Sequence, residues 1–161
     1  MKKILIFIVL FLVSSQLILG QDKNQLNKMI ISSINSYIEW NNDFVRRGIS
    51  LVDTSHYYVC MDGLPSDFPF GSFQNVTFFS LNNLEGLPSS FKSKLKKGIK
   101  TVFIGMNLSD NQLVFSVSGR GVQWLKKNNI NIVMGDWGIF TYEYSCEKQE
   151  WELRETKYGG I

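Results

Sequence analysis

Apolar residues recur at intervals of three and four from Leu26 to Val45. They are Leu26, Met29, Ile30, Ile34, Tyr37, Ile38, Phe44 and Val45, with Asn41 on the same stripe. That is the period of an α-helix with one face turned to a core. The pattern predicts one amphipathic helix from Asp22 to Arg47. Asp22 with Gln25 three residues on resembles a capping box. Arg46 and Arg47 suit the negative end of a helix dipole, and Gly48 is placed to end the helix. Such a stripe most often packs on a sheet of the same chain, and a partner-binding face is the rarer use.

After Gly48 the pattern changes to short strand-like runs. Tyr57–Met61, Val76–Leu81, Ile99–Leu108, Gln112–Ser118, Ile130–Met134, Ile139–Cys146 and Trp151–Lys157 are the predicted strands. Ser109-Asp110-Asn111 is hairpin chemistry, and Glu147-Lys148-Gln149 is a second turn. Gly135-Asp136-Trp137-Gly138 reads as a turn between two strands. Pro88–Lys97 reads as a short basic helix, with Pro88 at its first turn. Gly119–Asn129 is ambiguous, with one helical turn expected around Trp124. A helix followed by strands joined by short turns is an α+β order. The expected architecture is a long N-terminal amphipathic helix packed on a curved, mostly antiparallel sheet. In broad form only, this resembles cystatin-like and NTF2-like folds, an analogy that carries no function.

The first twenty residues read differently from the rest. Met1-Lys2-Lys3 is charged, Ile4–Val13 is an unbroken apolar run, and Ser14-Ser15-Gln16 and Gly20 supply small residues. This is the pattern of a secretory signal peptide, cut after Ser15 or after Gly20. A membrane-spanning helix needs about 20 apolar residues, and this run is shorter and interrupted. The expected organisation is therefore a signal over residues 1–20 and a single α+β domain over 21–161. Membrane contact is expected only through an uncleaved signal. The short Lys-Lys-led signal suggests a Gram-negative bacterium, with the protein periplasmic or extracellular.

Removing residues 1–20 takes Lys2 and Lys3 away, leaving 15 basic residues of the original 17 against 14 acidic ones. That near-balance argues against a nucleic-acid partner, which usually meets a clear basic excess. Cys60 and Cys146 are the only cysteines. Export favours a disulfide between them, provided their geometry permits one. Asn75-Val76-Thr77 and Asn107-Leu108-Ser109 match the N-glycosylation acceptor pattern. The pattern matters only in a eukaryotic secretory route, and the bacterial look of the signal makes both matches coincidental.

Candidate chemistry is sparse. His56 is the only histidine and stands four residues before Cys60. A Cys–His pair can make an activated nucleophile. Four residues of extended chain span about 13 Å, too far for a hydrogen bond. One His and two separated Cys make no metal-ligand cluster, and no cofactor motif is present. Lys92, Lys94, Lys96, Lys97 and Lys100 form a basic cluster, with Phe91 and Leu95 at helical spacing to point inward. Glu143, Glu147, Glu150, Glu152 and Glu155 read as the wet face of a sheet opposite Tyr142, Tyr144, Trp151 and Leu153. Gly119-Arg120-Gly121 reads as a flexible connection that lacks the context of an anion loop. Asp62–Phe70 is a proline-stiffened loop whose Phe68 and Phe70 are expected to tuck under it.

Three functions follow in order of preference. The first is a non-enzymatic exported protein that binds another protein or an envelope component. The second is a small-ligand binder with an aromatic pocket between helix and sheet, lined by Tyr37, Trp40, Tyr142, Tyr144 and Trp151. The third is a secreted hydrolase using acidic residues or Cys60 with His56.

Overall fold

In the computed structural model, the described residues are 25–49, 55–126 and 129–160. The segment read as a signal lies outside them, as does Asp22 of the expected capping box. No helix among the described residues is long and apolar enough to cross a membrane.

The first helix, α1, covers residues 25–46. It buries Met29, Ile30, Ser33, Ile34, Tyr37 and Asn41. Its end is a Schellman closure. Gly48 takes φ 70°, and its N–H donates to the Val45 carbonyl at 2.9 Å, while that of Ile49 donates to Phe44 at 3.0 Å. Only a residue without Cβ enters that left-handed region cheaply, which is why the helix stops here. Arg46 and Arg47 both pair with Asp43, one turn back.

Among the described residues, six strands form one open sheet. They are β1 (Tyr57–Cys60), β2 (Val76–Phe79), β3 (Ile99–Ser109), β4 (Gln112–Lys126), β5 (Asn129–Ser145) and β6 (Glu150–Gly159). A second helix, α2 (Ser89–Lys97), precedes β3. The order across the sheet is β2-β1-β3-β4-β5-β6. β3 to β6 form an antiparallel meander. β1 runs parallel to both of its neighbours. Parallel neighbours need crossovers, and these explain the irregular middle of the chain. One crossover, residues 61–75, tucks Phe68 into the core beneath α1. The other carries α2 onto the opposite face, where Phe91 and Leu95 pack with Phe79, Val122 and Trp124. Each face of the sheet therefore has its own hydrophobic core.

Several expectations are corrected. Gly119–Asn129 holds no helical turn; its described residues continue strands, with β4 running unbroken to Lys126. Gly135–Gly138 is not a turn but the middle of β5, which joins the two strands expected on either side of it. The β3–β4 connection closes on Asp110 and Asn111 alone, with Asp110 at φ 53°.

Cys60 and Cys146 are not bonded. Cys60 is buried as a free thiol, and Cys146 is exposed. Topology forbids the bridge. Two strands, β3 and β4, separate β1 from β5, which puts them about 14 Å apart. The register carries the level of Cys60 through Phe103 and Ser118 to Trp137. Cys146 lies nine residues further along, or about 30 Å of extended strand. A disulfide requires Cα atoms within about 7 Å.

Candidate functional site

A buried polar cluster lies beneath α1, where β4 and β5 lose register. Ser118 pairs with Trp137, and Arg120 pairs with Met134. Gly119 thus faces two residues, Gly135 and Asp136, which is a β-bulge. The bulge aims Asp136 inward at the helix. The Tyr37 hydroxyl donates to one carboxylate oxygen. Lys100 Nζ donates to the other at 2.6 Å and to Asn41 Oδ1 at 2.7 Å. Asn41 Nδ2 donates to the Tyr37 carbonyl at 3.3 Å. A Cβ on residue 119 would overlap the Asp136 carboxylate, the Tyr37 hydroxyl and the Lys100 side chain. Glycine is the only residue that leaves room for the cluster.

Burial, and then the neighbouring Asp136 carboxylate, push the Tyr37 hydroxyl far above its ordinary pKa. It stays protonated and can act only as a donor. Every polar group of the cluster is satisfied from within, so its immediate action is to pin α1 to the bulge.

Beyond the bulge, β4 and β5 continue as an arm over residues 120–126 and 129–134. This arm carries four of the most exposed large apolar side chains among the described residues. Leu125, Ile132, Val133 and Met134 are between 42% and 69% exposed. Ile132 and Met134 share the face of Val122, and Val133 points to the other face, by strand alternation. A shallow groove of ≈ 320 Å³ runs beside Val133, lined also by Lys97, Gly98, Gly121, Gln123 and Asn131.

Four of the five aromatics expected to line a pocket gather at the core under α1, with Trp40 and Trp151 packed against it. Tyr37 and Tyr142 are core residues. The Tyr142 hydroxyl is 3.3 Å from Ser33 Oγ and donates to the Met29 carbonyl at 3.4 Å. Trp40 stacks on Tyr158 with centroids 4.9 Å apart. Tyr144 and Trp151 form an edge-on pair across β5 and β6. A separate surface depression of ≈ 590 Å³ lies along α1, lined by Glu39, Asn42, Val45 and Arg46, and includes none of the five.

His56 and Cys60 are also committed to different partners. His56 Nε2 lies 2.8 Å from Thr77 Oγ1 on the neighbouring strand. The Cys60 thiol donates to Asp62 at 3.4 Å. Burial pushes that thiol up to about 11, away from the range of a reactive thiolate.

The lysine cluster divides. Lys92 donates to the Glu85 carbonyl, and Lys94 donates to the Tyr58 hydroxyl. Lys96 lies over the Trp124 ring. Lys100 turns inward to Asp136. The acidic residues of the last hairpin are interleaved with cations: Arg154 pairs with Glu143 and Glu152, Lys148 with Glu152, and Lys157 with Glu155. Gly119-Arg120-Gly121 lies within β4, at the bulge and just past it, and Arg120 lies over the Phe103 ring at 5.1 Å. Among the described residues, no group of His, Cys, Asp and Glu is placed to hold a metal ion.

Asp136 escaped the sequence reading because its flanking glycines imitate a turn. The signal available was the pair of glycine-rich runs, Gly119–Gly121 and Gly135–Gly138. Isolated glycines inside strands often mark a bulge.

No family model, curated protein or solved structure matches this chain.

Proposed function

We propose that the mature chain is an exported, non-enzymatic binding domain and that its contact surface is the β4–β5 arm. The observation that carries this reading is the concentration of Leu125, Ile132, Val133 and Met134 on one hairpin. Exposed apolar side chains gathered at one place commonly mark a protein-contact surface. The polar cluster supports the same reading, because it anchors the root of the arm to α1. The contact surface is aliphatic, in place of the aromatic one expected from composition. Its partner is another protein or an envelope component, met after export to the periplasm or the extracellular space. The small-ligand reading has less support, since its aromatics pack in or against the core and the depression along α1 includes none of them. The hydrolase reading has less support too, since His56 and Cys60 face other groups and cations divide the carboxylates.

The test is a photo-cross-linking residue placed at Val133, with a matched one at Glu147 on the far turn. A specific adduct at Val133, lost on Met134→Asp at unchanged thermal stability, is the expected result. Equal labelling at the two positions would refute the assignment.

A further inference from the structure

The exposed aliphatic side chains of the arm point two ways. Ile132 and Met134 stand on the face of Val122, while Val133 stands on the other. Leu125 adds to them one residue before the end of β4. A flat protein surface covers one face of such a hairpin. The boundary between lipid headgroups and acyl chains receives both faces at once. Among the described residues, no strand pairs with 123–126 or 129–136 on their outer sides. Hydrocarbon rejects unpaired strand edges, so insertion of the arm stops at the headgroup boundary.

The charges around the arm are mostly positive. Lys94, Lys96 and Lys97 of α2 are exposed, and so is Lys126 at the end of β4. Lys96 lies over Trp124, and Lys97 lines the groove beside Val133. Arg120 stands at the root of the arm, paired with Met134 across the strands. The carboxylate set against these cations is Glu85, across a depression from Ile130. Between residues 86 and 135 the sequence holds one acidic residue, Asp110. Asp110 lies in the β3–β4 turn. Successive turns of a meander lie at opposite ends of the sheet, so that turn shares the far end with the β5–β6 turn. Glu143, Glu147, Glu150 and Glu152 are there, offset only in part by Lys148 and Arg154. A chain of nearly balanced charge is thus polarised, with its aliphatic tip at the cationic end. We infer that the arm contacts the surface of an anionic phospholipid bilayer. Its aliphatic side chains enter the headgroup boundary, and Lys96, Lys97 and Lys126 meet the lipid phosphates. Apolar burial and attraction to anionic lipid add in such a contact, and the acidic end is turned to water. The inference rests on the arm being the contact surface and names lipid as its partner. It is separate from any contact made through residues 1–20.

The experiment uses the full chain with an environment-sensitive fluorophore on one cysteine. One form carries it on the native, exposed Cys146 at the acidic end. The other carries it on the arm, in Leu125→Cys combined with Cys146→Ser. Cys60 is buried and stays unlabelled. Vesicles of phosphatidylcholine alone are compared with vesicles that also contain phosphatidylglycerol. A blue shift and quenching by lipid-borne nitroxide are expected at position 125 with the anionic vesicles, and neither at position 146. Residues 1–20 are common to both forms, so the contrast between positions reports the arm. Lys96→Gln with Lys97→Gln should weaken insertion by about 25-fold, since each lysine at an anionic surface contributes about fivefold. Val133→Ser and Met134→Ser, on opposite faces, should each weaken it by about tenfold, with unchanged thermal melts. Equal shifts at 125 and 146, an equal shift with neutral vesicles, or sensitivity to only one of Val133 and Met134 would overturn the inference. No shift at 125 together with a protein adduct at Val133 would overturn the lipid partner and leave the arm as the contact surface. No shift at 125 and equal cross-linking at Val133 and Glu147 would overturn both.

Discussion

Replacing Lys100 with methionine tests the buried cluster directly. Methionine keeps most of the side chain's packing and removes the ammonium together with its hydrogen bonds to Asp136 and Asn41. The Asp136 carboxylate, 9% exposed, would keep one donor, the Tyr37 hydroxyl. Removing one partner of a buried ion pair typically costs about 3–5 kcal/mol, because the other charge is left uncompensated. Lys100 is 23% exposed, so water reaches the pair from one side, and the lower end, about 3 kcal/mol, is expected. With a urea m-value of about 1–3 kcal/mol/M, the unfolding midpoint should fall by about 1–3 M. Asp136→Asn keeps the shape and leaves behind an ammonium that water reaches from one side, so it should cost less. The double variant should be more stable than the sum of the single losses implies, by about 0.5–3 kcal/mol for groups in direct contact. A loss below about 0.5 kcal/mol for Lys100→Met, or strict additivity in the double variant, would refute the reasoning. The pair would then be a solvated contact of little energetic consequence.

The same cluster predicts that Gly119→Ala, a single added methyl, lowers stability by about 1–3 kcal/mol, as overpacked sites do; a thermal melt indistinguishable from wild type would show that the bulge relaxes freely. Ile34→Ala should cost about 2–5 kcal/mol, since the side chain is wholly buried beneath α1. Ile38 is only partly buried, so urea unfolding should show a smaller loss for Ile38→Ala. Thiol alkylation near neutral pH should label Cys146 quickly and reach Cys60 only on unfolding; rapid labelling of both would contradict the buried thiol. The Cys60 pKa rises on folding from 9.0 to about 11. The unfolded chain therefore releases this proton first, and the associated stability is complete below pH 9 and is lost as pH rises toward 11. Cys60→Ala should flatten that part of the stability profile.

What could be read in the sequence was local. The α1 stripe, its end at Gly48, the short α2 with Phe91 and Leu95 inward, and the Asp110-Asn111 hairpin depend on residues only a few positions apart. Local period and turn chemistry are sufficient to place such features. The α+β class and the mostly antiparallel sheet followed from their order along the chain. Tertiary structure alone decided the rest, because register and strand order are non-local. Nothing near Tyr57 announces that β1 will run parallel to strands starting at Val76 and Ile99. The glycines around Asp136 resemble a turn until β4 lies beside them, and then they make a bulge that delivers a carboxylate to Tyr37 and Lys100. Their number and expected compartment alone make Cys60 and Cys146 a natural pair. The sheet places two strands and a long stretch of β5 between them, and a covalent bond cannot cross that distance.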